Sequence, residues 1–216
     1  MFYFLPLSIL VFFSLLLFLP FLFFVWFFHI VSFSFQKLGL TPETTFLLLL
    51  LTLFGSGINI PLGRYKKRTV RKSFFGSFEY AQKEIEGVAI NLGGALIPLG
   101  ISLYLLTKTS NIFPILLSLF FMIIISKTFS KVIPGRGIVL PALIPPIFAA
   151  LFALIFAPSN PAPCAYVSGT LGTLIGADLL NLHKVKRYPG LISIGGAGVF
   201  DGIFLTGIVA VFLTAI

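Results

Sequence analysis

Long apolar runs divide the chain. Residues 2–33 are almost wholly apolar and rich in phenylalanine, and further runs occupy 44–61, 87–107, 112–126, 138–156, 164–182 and 191–216. A helix of roughly 20 apolar residues, rising about 1.5 Å per residue, matches a hydrocarbon layer about 30 Å thick. The pattern therefore predicts an all-α fold, a polytopic transmembrane bundle of about seven helices forming a single membrane domain over residues 1–216. The first run exceeds one crossing, and a kink at Pro20, a tilt or an interfacial start would absorb the excess. It lacks a basic leading region and a small-residue cleavage site, so it reads as a retained helix and not a signal peptide.

The connections refine the boundaries. In QKLGLTPET, Thr41 or Thr44 is the expected N-cap of the second helix, with Pro42 and Glu43 in its first turn. After that helix comes the basic loop RYKKRTVRK, then FFGSFEYAQKEIE, which mixes apolar and charged residues at near-helical spacing. Residues 62–86 are thus expected to be a basic loop followed by an amphipathic interfacial helix. Pro141, Pro145 and Pro146 remove backbone donors near the start of the fifth helix and must distort it there.

Composition agrees with a membrane class. The chain is 58% hydrophobic and only 10% charged, whereas soluble domains carry roughly 25% charged residues. The net charge of +9 could suggest nucleic acid, but the positions of the charges point elsewhere. Segments 62–86, 127–137 and 183–190 hold thirteen of the fifteen Lys and Arg, leaving only Lys37 and Lys108. All three segments face the cytoplasm if the N-terminus is inside and the C-terminus outside, as the positive-inside rule requires. The expected location is the cell membrane, as a multi-pass protein. The expected partner of the basic surface is anionic lipid headgroups, and no nucleic acid.

Cofactor signatures are few. The single cysteine, Cys164, allows no intrachain disulfide, and neither His29 nor His183 has a partner at metal-ligand spacing. No cofactor or metal is expected, and no nucleotide-binding loop or hydrolase triad is present to suggest other enzyme chemistry.

The chemistry concentrates between Tyr166 and Ile216. Two apolar segments there flank the basic loop HKVKRYPG, and each carries one of the only two aspartates, Asp178 and Asp201. A carboxylate in a membrane helix is costly, so it is a functional-site candidate by default. Glycines at 169, 172 and 176, and again at 195, 198 and 202, repeat one spacing in both segments. Such sets form smooth faces for close helix packing. On a regular helical wheel Asp178 lies roughly 150° from the first glycine face, and Asn181 shares its side. Asp178 would sit about 7–8 Å and Asp201 about 16 Å into their helices, a mismatch that shrinks if SIGGAG is irregular. Asp201 would then open a half-helix facing a cavity. Farther back, INIPLG and INLGGALIPLG echo one another and place Asn59 and Asn91 beside helix-weakening residues. Glu86 stands just before the third apolar run, either as an ion ligand or as a charge favoured by that helix's dipole.

Two resemblances bear on these residues. INLGGALIP, GADLLNL and GGAGVFDGIFLTG are similar to a prokaryotic family of polytopic integral membrane proteins of unknown function, over most of residues 55–216. That resemblance implies a multi-span fold and no established activity. The aspartate hairpin also resembles presenilin-type intramembrane aspartyl proteases, which carry one Asp on a helix entering the cytoplasm and a second, within GxGD, on the helix returning. Here the second motif is GxxD, Ala177 replaces the usual tyrosine, and the PAL triplet at Pro141 to Leu143 precedes the aspartates instead of following them.

Three readings stand side by side. A small solute or ion carrier would bind its cargo at Asp201, Asp178, Asn181, Asn91, Asn59 and Glu86, using helices broken near the membrane centre. An aspartyl protease acting on a membrane peptide would use Asp178 and Asp201 as its catalytic dyad, one as base and one as acid. A structural role would pair Asp178 with Lys184, Lys186 or Arg187. Substrate and oligomeric state are not legible.

Overall fold

The computed structural model describes residues 7–63, 66–74, 78–133, 137–186, 191–196 and 201–215. The fold is mostly helical, and a small sheet interrupts the helices on one side.

Helix α1 (Leu7–Lys37) is one continuous helix with Pro20 inside it. From Ile9 to Lys37 it is long and apolar enough to cross a membrane by length and composition. Residues 2–6 of the first predicted span lie outside the described residues. Helix α2 (Pro42–Gly55) starts as its sequence predicts: the Thr41 side chain accepts a hydrogen bond from the Thr44 amide, Pro42 opens the helix and Glu43 lies in the first turn. The helix then stops early, and Asn59–Pro61 form strand β1.

The predicted interfacial helix within 73–86, after the basic loop, is not formed. Strands β2 (Lys66–Phe74) and β3 (Phe78–Asn91) make an antiparallel hairpin instead. Its register sets Lys66 opposite Glu86 and Phe74 opposite Phe78. The spacing that resembles a helix over a dozen residues is outweighed by this partner, which only the folded chain supplies. Strand β3 runs on to Asn91 and replaces the start of the expected third helix. There it pairs antiparallel with β1 on one side and parallel with β6 (Leu191–Ile194) on the other. The all-α expectation is corrected by this sheet.

After β3 the chain takes a wide π turn (Leu92–Leu96) into α3 (Ile97–Lys108). Helix α4 (Phe113–Phe129), a two-stranded ribbon of β4 (Lys131–Ile133) and β5 (Gly137–Val139), and α5 (Ile144–Phe156) follow. The ribbon takes the first residues of the predicted fifth helix, and that helix begins only at the Pro145–Pro146 pair. Helix α6 (Pro161–Thr173) is continued by a second π turn (Leu174–Asp178), a 3-10 turn (Leu179–Asn181) and α7 (Leu182–Val185). The last predicted helix is likewise split: β6 comes first, and α8 (Gly202–Leu213) starts after Asp201.

Helix α6 is the centre of the bundle, buried at every residue from Cys164 to Leu174. Its glycines allow this. A Cβ at Gly172 would lie 2.5 Å from the Met122 Cβ, and one at Gly176 would lie 2.5 Å from the Ile123 carbonyl oxygen. Helix α4 therefore rests directly on the α6 backbone, as the glycine spacing predicts. The second glycine set does not form a matching face. Gly195 lies in a turn at φ +71°, Gly202 has nothing within 4 Å of a would-be Cβ, and Gly198 lies outside the described residues.

Burial is distributed unusually. Ser34, Thr45, Thr52, Ser102, Ser118, Ser126, Ser168 and Thr170 are fully buried, whereas Leu17, Phe24, Phe54, Phe113 and Leu143 are among the most exposed apolar side chains. The inner half of α1 joins the bundle through Val31 and Phe35, and the Ser34 hydroxyl donates to the Ile208 carbonyl of α8 at 3.1 Å.

Candidate functional site

Each aspartate occupies a helix interruption. Asp201 is the N-cap of α8: its φ of −70° and ψ of 145° are extended, and its Oδ1 accepts from the Ile203 amide at 2.9 Å. A carboxylate here satisfies one of the first-turn amides and complements the positive end of the helix. The depth mismatch presumed a regular helix through residues 191–201. Residues 191–194 form β6 instead, and Asp201 begins the helix.

Asp178 is the last residue of the π turn that closes α6. A π turn inserts one extra residue, so positions computed for a regular helix no longer hold beyond Leu174. The carboxylates of Asp178 and Asp201 are near enough to repel each other electrostatically. Both side chains are partly buried. Among the described residues Asp178 forms no ion pair with Lys184 or Lys186. Arg187, the third partner considered from sequence, lies outside the described residues.

Asn181 is tied to α4. Its Nδ2 donates to the Ser130 hydroxyl at 2.7 Å and to the Ala177 carbonyl at 2.8 Å, and its Oδ1 accepts from Lys127 at 2.6 Å. The Lys127 ammonium also donates to the Leu180 carbonyl at 2.8 Å. The change from π to 3-10 geometry frees carbonyls at the end of α6, and Lys127 satisfies one of them. Lys127 and Ser130 were not legible as partners of Asn181, being more than fifty positions away in the chain.

Asn59 and Asn91 do meet. The two echoing segments pair as β1 and β3, with Asn59 opposite Asn91. Asn91 is fully buried. Its Nδ2 donates to Asn59 Oδ1 at 3.1 Å and to the Ser56 carbonyl at 2.8 Å, while its Oδ1 caps the first π turn through the Gly94 amide at 2.9 Å. The Ser193 hydroxyl of β6 donates to the same Asn59 oxygen. Glu86 stands apart, five positions back along β3 and roughly 16 Å from Asn91 at extended rise; its backbone pairs with Lys66.

A small apolar cluster joins the two polar groups. Ala95 of the first π turn, Leu174 of the second, Ile194 of β6 and Ile203 of α8 are buried together. Gly195, in the left-handed region, lets the β6 turn lie on the first π turn, where a Cβ would come 2.7 Å from the Ala95 amide nitrogen.

Fold and site define a predominantly helical protein with two carboxylates at helix breaks, near enough to interact electrostatically. The family model described as "Protein of unknown function (DUF1614)" matches residues 53–213, well over half of the chain, and the chain belongs to this family. No curated protein and no solved structure matches it.

Proposed function

We propose that the chain is a multi-span membrane protein of the cell membrane whose Asp178–Asp201 pair binds a small cation or a proton, as part of a solute or ion carrier. The observation that carries the reading is the placement of two like-charged carboxylates at two helix breaks, near enough to interact electrostatically. Neighbouring carboxylates repel when both are ionised, and an added proton or cation relieves that repulsion.

The membrane assignment rests on the extent of exposed apolar surface around a core that also buries hydroxyls and glycines. Many Leu and Phe side chains are exposed, while Ser, Thr and Gly are buried alongside the apolar core. Lipid solvates apolar side chains, and small residues let helices approach closely within it. A soluble monomer rarely exposes so much apolar surface. The helical run from Pro161 to Val185 spans roughly 37 Å, enough to cross. Helices α2 and α8 span only about 21 and 18 Å and end in irregular backbone packed inside the protein. Discontinuous helices around polar side chains are how many carriers build a site. The N-inside orientation and a single domain over 1–216 complete this reading, with the basic residues of 62–86 beside anionic headgroups.

The test is binding by the purified full chain. Sodium or protons should raise its melting temperature in detergent, and Asp201→Asn should remove that dependence. An unchanged ion response in Asp201→Asn would sink the carboxylate site. The same pair favours a second reading, an intramembrane aspartyl protease acting on a membrane peptide, because two interacting carboxylates can share one proton. Cleavage of a membrane reporter peptide by wild type, lost in both Asp178→Asn and Asp201→Asn, would select that reading.

A further inference from the structure

Tyr166, Thr170 and Thr173 recur on α6 at i, i+4 and i+7, so they share one face of the helix. All three hydroxyl oxygens are buried and none has a well-aligned hydrogen bond, although the Tyr166 and Thr170 hydroxyls lie near enough to interact with each other. Helix α8 covers this face. A Cβ at Gly207 would lie 2.4 Å from Thr170 Oγ1 and 3.0 Å from Tyr166 Cε2. One residue earlier on α8, the Thr206 methyl would lie 3.1 Å from a Cβ at Gly169. The two helices run antiparallel, so the stripe leads along their seam toward Asp178 and Asp201. From Tyr166 to Asp178 it covers roughly 18 Å.

Helix-packing glue does not account for these hydroxyls. Several other Ser and Thr hydroxyls at helical positions donate to the carbonyl four residues back: Thr52 to Leu48, Ser102 to Pro98 and Thr128 to Ile124. The stripe residues do not. Ser168, Ser126 and, on α2, Thr45 are also unbonded. Ser168 falls between Cys164 and Gly172 on the face that α4 covers, and Ser126 is part of α4, so neither belongs to the stripe. Leaving a buried hydroxyl unsatisfied costs about 1–3 kcal/mol. Three on one helix face, on the helix that leads to Asp178, call for a purpose. A hydroxyl donates one hydrogen bond while accepting another. A row of them, bridged by water, passes a proton along without net change to any member.

We propose that Tyr166, Thr170 and Thr173 form a proton path between the Asp178–Asp201 pair and the far end of the α6–α8 seam, so that the species the pair takes up is H⁺. This rests on the carboxylate-site reading and adds the identity of the ion and its route. Each hydroxyl oxygen receives a proton as it gives up its own. The Asp178 carboxylate takes the proton, transfers it to Asp201, and Asp201 releases it at the opposite side.

The test uses the full chain in liposomes loaded with a pH-reporting dye, with a potassium diffusion potential set by valinomycin. Wild type should take up protons faster than empty liposomes. The triple variant Tyr166→Phe, Thr170→Val, Thr173→Val should slow uptake at least tenfold, while the pair Thr170→Ser, Thr173→Ser should keep it. Single Thr170→Val and Thr173→Val variants, checked by circular dichroism melting, carry the test if the triple variant does not fold. A wild-type rate in the valine variants, with uptake abolished by Asp201→Asn, would overturn the path and leave the carboxylate site standing. No uptake by wild type would overturn the path as well. In that case a sodium-dependent rise in melting temperature that Asp201→Asn removes would keep the site as a sodium site, and its absence would remove the site reading too.

Discussion

Asn91 donates to Asn59 across the β1–β3 pairing at 3.1 Å, joining two segments whose sequences echo each other. The same Asn91 side chain holds the Ser56 carbonyl and caps the π turn that opens the third helix. One fully buried amide thus connects the end of α2, the edge of the sheet and the start of the next helix.

Asn91→Ala should therefore destabilise the protein by about 2–4 kcal/mol, from a lost cap and a buried carbonyl left unpaired. Asn91→Asp keeps the cap acceptor for Gly94 but loses the donor to Ser56 and Asn59. Thermal melting in detergent should rank wild type above Asn91→Asp above Asn91→Ala if both halves of the amide contribute.

Asp201 caps α8 with an oxygen that asparagine also supplies. Asp201→Asn should melt near or above wild type because it keeps the cap and removes repulsion with Asp178. Asp201→Ala should fall below Asp201→Asn by about 1 kcal/mol, the usual worth of a cap. Equal melting of the Asn and Ala variants would show that the cap does not hold α8.

Helix α6 tolerates nothing larger than glycine where α4 crosses it. Gly172→Ala and Gly176→Ala must displace Met122 or the α4 backbone, an overpacking cost of about 1–3 kcal/mol each. Gly202→Ala should be near neutral, since nothing lies within 4 Å of its Cβ position. Chemical denaturation of the three variants side by side checks the contrast.

Lys127 holds the end of α6 through the Leu180 carbonyl and Asn181. Lys127→Met should loosen residues 179–185, with faster amide hydrogen exchange there than in Cys164–Leu174. Loss of the charged hydrogen bonds should cost about 1.5–3 kcal/mol. Unchanged exchange in residues 179–185 would show that the lysine is only a surface charge.

Orientation is open to single-cysteine labelling, because Cys164 is buried and is the only natural cysteine. With the N-terminus inside, Ser73→Cys should react with a membrane-impermeant thiol reagent only in inside-out vesicles, and Ser110→Cys only in right-side-out cells. The reverse pattern would invert the topology.

The sequence by itself determined what local chemistry determines. Uninterrupted apolar runs specify helices, Thr41-Pro42 starts one of them, and glycines at 169, 172 and 176 specify close packing, because each depends on residues within a few turns. The family was legible for the same reason, in contiguous stretches such as INLGGALIP and GGAGVFDGIFLTG. Only the tertiary structure decided that β3 continues into a predicted helix, since a strand exists through partners such as β6, about a hundred positions away. It also decided that Asn181 turns to Lys127 and Ser130, and that Asp178 and Asp201 come near enough to interact electrostatically. A π turn shifts every later side chain around its helix, and a strand followed by an N-cap replaces a regular helix before Asp201. A fixed 3.6-residue period foresees neither event, because both are set by packing against neighbouring elements.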